Sequence, residues 1–241
     1  MSLPVSLKHT LGRWLAALLL AVMVWQLPYL YGSAQANIQY YVAYQALQEW
    51  EQGQQPTEPE YLRAKQAIMA TTKTVPDAAH YLLTRVKVLE WGAHWQFEAL
   101  DWPELEGLYK QAITLRPTWP VAYADYGFGQ AFYGQDLSAA LATLRTAEQY
   151  GPYLPEVLRQ QLAVGLANWP LLSLSDKAWV LKISGRAAGS HWPAYGALRD
   201  LTRQYQRQSI VCPYLLNKTP AIEPGRLAHI KRNLCAEQAG S

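Results

Sequence analysis

The sequence is short of charge near its start. No Asp, Glu, Lys or Arg lies between Arg13 and Glu49. Reaction motifs are missing as well. There is no Gly-x-Ser-x-Gly, no phosphate-cradling glycine loop and no His-Glu-x-x-His, so no motif for acyl transfer, nucleotide binding or zinc hydrolysis is present. Gly127-Phe128-Gly129 falls inside an expected helix, not after a strand, and is no dinucleotide site. The five histidines are scattered; His80 and His94 share an expected helix, but a spacing of 14 gives no joint metal site. Sustained apolar–polar alternation and the turn pairs of tight hairpins are lacking, which excludes a β fold. With Gly and Pro at 15 each and no low-complexity tract, the chain is not largely disordered. A formal net charge of +3 is too small to imply a nucleic-acid partner.

What fills the uncharged stretch is apolar. Leu11 to Tyr31 is a run of 21 residues in which Arg13 is the only charge. About 20 apolar residues span a bilayer core as a helix. Trp14 stands at one end and Trp25, Tyr29 and Tyr31 at the other, as in interfacial aromatic belts. Lys8 and Arg13 flank the apolar core on its N-terminal side only, so the N-terminus is expected in the cytoplasm and the remainder across the membrane. Ala34-Gln35-Ala36 also fits a signal-peptidase site, which gives a cleaved signal peptide as the alternative to an uncleaved anchor. Both readings export the body.

The two cysteines, Cys212 and Cys235, lie close together in that exported part. They read as a disulfide closing a loop of about 24 residues, worth roughly 3 kcal/mol, with free buried thiols as the alternative. Charge is uneven. From Glu49 to Asp176 there are 9 basic and 15 acidic residues, and from Lys177 to Arg232 there are 10 basic and 2 acidic. The basic part therefore either meets something anionic or is a solvated face.

Caps and periodicity predict helices throughout. One runs from about Glu60 to Lys73 and one from Asp77 to Trp95. Others start at Asp101, at Pro120, after Asp136, at Pro155, at Ser175 and at His191-Trp192-Pro193. Trp-Pro occurs at 102, 119, 169 and 192, where it marks helix starts; the indoles pack there or line a sugar-binding groove. Arg199, Arg203 and Arg207 recur every four residues on the last long helix, opposite Tyr195, Leu198, Thr202 and Tyr205. They are the candidate contact for an anionic ligand or partner. Carboxylate pairs such as Glu58/Glu60 and Glu104/Glu106 sit at helix starts, where the helix dipole favours them.

Lys65-Gln66-Ala67-Ile68 recurs as Lys110-Gln111-Ala112-Ile113, and Ala112-Ile113 with Pro117 is echoed by Ala147-Glu148 with Pro152. From Tyr123 through Ala140-Leu141 to Pro152 the chain resembles a tetratricopeptide repeat, with small residues where helices touch and a proline to stop the second. The expectation is an all-α protein: an irregular tetratricopeptide-like solenoid after one transmembrane helix, with a compact helical bundle as the alternative. The parts are a tip and anchor over 1–32, a connector over 33–59, a helical-repeat domain over 60–207 and a disulfide-bearing tail over 208–241.

This layout, with its anchor, its tetratricopeptide-like region and its late cysteine pair, resembles the VpsP-type exopolysaccharide biosynthesis proteins. The resemblance implies a non-enzymatic accessory role in making or exporting a polysaccharide at a Gram-negative inner membrane, through protein partners in the periplasm. It implies no cofactor and no catalytic residue. Two other roles fit the same features: an acidic-polysaccharide-binding module and a membrane-anchored assembly chaperone for envelope proteins.

Overall fold

A computed structural model describes residues 5–218 and 222–236. Residues 1–4 of the expected cytoplasmic tip and residues 237–241 of the expected tail lie outside the described residues. The protein is all-α, with eleven α-helices and no strand among the described residues. It divides into two compact units, Met1–Leu100 and Asp101–Ser241.

The first unit holds α1 (Val5–Glu51), α2 (Glu58–Thr74) and α3 (Ala79–His94). Helix α1 is continuous across Pro28. Every described side chain from Trp14 to Tyr31 is exposed, and they are almost all apolar. This stretch is long and apolar enough to cross a membrane and is a candidate anchor. Beyond it, the same helix becomes amphipathic. Ala36, Ala43, Leu47 and Trp50 are buried, at intervals of seven, four and three, so they share one face. That face packs on α2 and α3, around Tyr61, Ala64, Ile68 and Val88. The connector expected over 33–59 thus shares a core with the helices after it. Helix α2 begins at Glu58, because the Glu60 carboxylate accepts from the Thr57 N–H at 2.8 Å and from its hydroxyl at 2.7 Å.

The second unit holds α4 (Trp102–Leu115), α5 (Pro120–Phe132), α6 (Leu137–Tyr150) and α7 (Pro155–Ala167). A 3-10 turn (Trp169–Leu171) follows, then α8 (Leu174–Ala188), α9 (Trp192–Gln204), α10 (Gln208–Leu216) and α11 (Pro224–Asn233). Caps fix the starts. Asp101 accepts from the Glu104 N–H at 3.1 Å, Asp136 from Ala139 at 2.9 Å and Ser173 from Asp176 at 3.2 Å. Each Trp-Pro opens a helix, the third only the 3-10 turn.

Helix α5 packs on α4, α6 and α7; α7 packs on α8 and α9. Small residues set these approaches: Ala122, Ala124, Ala140 and Ala147 are fully buried. The Gly127-Phe128-Gly129 segment lies within α5 as expected. A Cβ at Gly127 would sit 2.7 Å from Leu144 Cγ, and one at Gly129 would sit 2.8 Å from the Trp102 ring. These glycines therefore serve helix packing. The region after Gln204 is no loose tail. Val211, Cys212, Leu215, Ile230 and Cys235 join the same core as Leu158, Leu162, Val180, Ile183 and Leu198. Cys212 and Cys235 are disulfide-bonded, which ties the end of α11 to α10.

Candidate functional site

The helical periodicity places Arg199, Arg203 and Arg207 on one stripe; the structure separates them. Helix α9 ends at Gln204, so Arg207 is not on it. Gln206 adopts φ 55°, the Arg207 N–H returns to the Thr202 carbonyl at 2.9 Å, and the Gln206 N–H to Arg203 at 3.0 Å. This is a Schellman closure with glutamine where glycine is usual. The chain turns there, and Arg207 Nε donates to the Leu166 carbonyl at 3.1 Å, capping the last turn of α7. Arg207 thus has a structural partner away from the other two. Arg199 pairs with its neighbour Asp200, Nε to Oδ1 at 2.7 Å and Nη2 to Oδ2 at 3.2 Å. Arg203 donates to the Asn233 carbonyl at the end of α11.

Arg199 and Arg203 lie beside a cation–aromatic seam between α9 and α11, which Arg203 reaches through the Asn233 carbonyl. Tyr195 lies at its centre, 1% exposed. The His229 ring stands edge-on to both Tyr195 and Trp192, with centroids 5.3 and 5.1 Å away. Arg226 lies 4.0 Å over the Trp192 indole and 5.2 Å from the Tyr195 ring, and its Nη2 donates to the Ser190 carbonyl at 3.2 Å. Helix α11 is aimed by Glu223, whose carboxylate accepts from the N–H groups of Gly225 and Arg226, both at 2.9 Å. Those two bonds hold the Glu223 carboxyl below its usual range. Burial raises the Tyr195 phenol, a rise partly offset by the charges of Arg199, Arg226 and Arg203.

The four Trp-Pro indoles part company here. Trp102 packs, stacked on Tyr126 and wedged against Gly129 and Gly134. Trp119 and Trp169 are half-buried beneath Arg116 and Lys177. Trp192 alone of the four is exposed, at 60%. The arginine spacing and the last Trp-Pro both point toward this seam in the sequence. Arg226 and His229 have no such signal, because they come from the segment expected to be a tail. Among the described residues no three His, Cys, Asp or Glu side chains gather as a metal-ligand set.

No protein-family model matches the chain, and no curated protein sequence matches it.

Proposed function

We propose that this chain is a non-enzymatic, membrane-anchored accessory protein of exopolysaccharide biosynthesis or export. It is held in a Gram-negative inner membrane, and its helical body acts in the periplasm through contacts with protein partners. The observation that carries this reading is the continuity of α1. One helix runs from the exposed apolar segment straight into the core of the first unit. The first unit, joined this way, is held close to the membrane surface on a continuous helical stem, which suits a tether better than a diffusing enzyme.

The same helix favours retention of the anchor. Ala36, the last residue of the small-x-small pattern, is 2% exposed, and its carbonyl accepts from the Thr71 hydroxyl at 3.1 Å. Cleavage after Ala36 would remove a residue of the folded core and leave the buried Thr71 hydroxyl with only the Ala67 carbonyl, at 2.9 Å. The pairing of α5 with α6, and of α7 with α8 and α9, supports the tetratricopeptide-like reading of the body.

Affinity capture of the full-length chain from its native membrane, after mild cross-linking, tests the role. Recovery of envelope proteins of a polysaccharide assembly or export machine is expected. Capture that returns none of them overturns the proposal.

A further inference from the structure

The seam between α9 and α11 carries more positive charge than its own residues balance. The charges of Arg199, Arg203 and Arg226 all act on the Tyr195 phenol, and of the three only Arg199 is salt-bridged to a carboxylate, that of Asp200, among the described residues. Among the described residues Arg203 and Arg226 bond to backbone carbonyls, which bring only partial charge. Glu223, the other carboxylate near Arg226, is taken up by two backbone N–H groups. Arg232 is exposed one turn beyond His229 on α11 and adds to that charge.

Two buried polar atoms lie within the seam without a hydrogen-bond partner among the described residues. They are Tyr195 Oη and Arg226 Nη1. Buried polar groups are nearly always partnered, so an orphaned hydroxyl on α9 and an orphaned guanidinium N–H on α11 leave hydrogen-bonding capacity unfilled in this seam. Trp192 completes the picture. Arg226 covers one face of its indole, and 60% of the residue is still exposed.

We propose that this seam binds an anionic sugar: its carboxylate meets Arg203, Arg226 and Arg199, and a sugar ring lays its C–H face on Trp192. A guanidinium fork matches a carboxylate in geometry and charge, and an indole face accepts an apolar ring surface. From Trp192 to Arg203 the helix rises about 16 Å, longer than one ring, so the ligand is a short stretch of acidic polymer. Arg207, turned away to α7, takes no part. This inference does not depend on the tethering role, since a chain that binds no sugar can still serve as a scaffold.

The test is titration calorimetry of the full-length chain in detergent micelles with an oligogalacturonate. The neutral galacto-oligosaccharide of equal length and vesicles of anionic phospholipid are the comparisons. Binding of the acidic oligomer alone is expected. The Arg199→Gln/Arg203→Gln variant should weaken it at least tenfold, and Trp192→Ala should weaken both acidic binding and the accompanying tryptophan fluorescence change. The hydrogen bonds of Arg199 and Arg203 are exposed, so that variant keeps its fold, which circular dichroism checks even if Trp192→Ala does not. Equal binding of neutral and acidic sugars, binding unchanged in the arginine variant, binding of the vesicles instead, or no heat at all overturns the proposal.

Discussion

The indole nitrogen of Trp179, on α8, donates a 2.6 Å hydrogen bond to Oε2 of Glu148, on α6. The other carboxylate oxygen accepts from Arg186, whose Nη1 also reaches the Pro152 carbonyl at 3.0 Å. Arg145 of α6 lies over the same indole at 4.9 Å and pairs with Asp176 of α8. Two helices that are not neighbours in sequence are thus clamped by alternating acid, base and ring.

Glu148→Ala should cost about 2–3 kcal/mol, because it removes two hydrogen bonds to a charged group and strands a largely buried guanidinium. Trp179→Phe, which leaves the Arg186 pair in place, should cost about 1 kcal/mol. Urea denaturation followed by circular dichroism separates the two. Equal losses would show that the pair with Arg186 adds nothing beyond the indole bond.

The same clamp sets an acid limit. Burial pushes the Glu148 carboxyl up, but the bonds from Trp179 and Arg186 and the charges of Arg186 and Lys182 outweigh it and hold it below 4.5. Bonds from Ser173 and Arg145 hold Asp176 below 3.8. A carboxylate whose folded pKa is depressed stabilises fully above its unfolded pKa and loses that contribution as pH falls through the folded value. Melting temperature should therefore not depend on these two groups above pH 4.5, and should fall below it. In Glu148→Gln the acid-side fall should be shallower.

Close helix packing makes glycines intolerant. A methyl group at Gly165 of α7 would overlap the Val180 side chain of α8. Gly165→Ala should destabilise by about 1–3 kcal/mol, although alanine is the better helix former. The exposed Gly107 of α4, where an added Cβ meets nothing within 4 Å, is the control, and Gly107→Ala should stabilise by about 1 kcal/mol.

Left-handed glutamines offer the opposite case. Gln206 closes α9 at φ 55°, and Gln96 closes α3 at φ 61° with the Phe97 N–H returning to the Gly92 carbonyl at 2.9 Å. A side chain in this region costs about 1–2 kcal/mol that glycine avoids. Gln206→Gly and Gln96→Gly should each raise stability by up to about 1 kcal/mol in chemical denaturation.

The disulfide is expected to act locally as well as globally. Cys212→Ser/Cys235→Ser should cost about 3 kcal/mol, the entropy of a loop of this length. Hydrogen exchange should rise first across α11, whose other described ties to the unit are the seam and the packing of Leu227, Ile230 and Leu234. Uniform loss of protection across the whole chain would contradict that order.

These glutamines also explain what the sequence conceals. Helix starts are legible because their signals are chemical: Asp101, Asp136 and the Trp-Pro pairs each leave a residue suited to a first turn. The end of α9 is not, because Gln206 stands where glycine would announce it, and so Arg207 reads as one turn more of the same stripe. The apolar stretch that makes α1 a candidate anchor is plain from length and composition. The connector's membership of the first core is less so, since the alanines that mark it are small and spaced among exposed tyrosines. Arg199 and Arg203 could be picked out by spacing alone. Arg226 and His229 come from a helix 20 to 30 residues away and reach Tyr195 only through tertiary packing.

Protease added to intact spheroplasts that carry the full-length chain bears on anchor and export together. The expected result is digestion of the body, with a fragment that begins upstream of Ala36 kept in the membrane pellet. A body that survives until the membrane is lysed, or a mature chain that starts at Asn37 and leaves with the soluble periplasm, would contradict it.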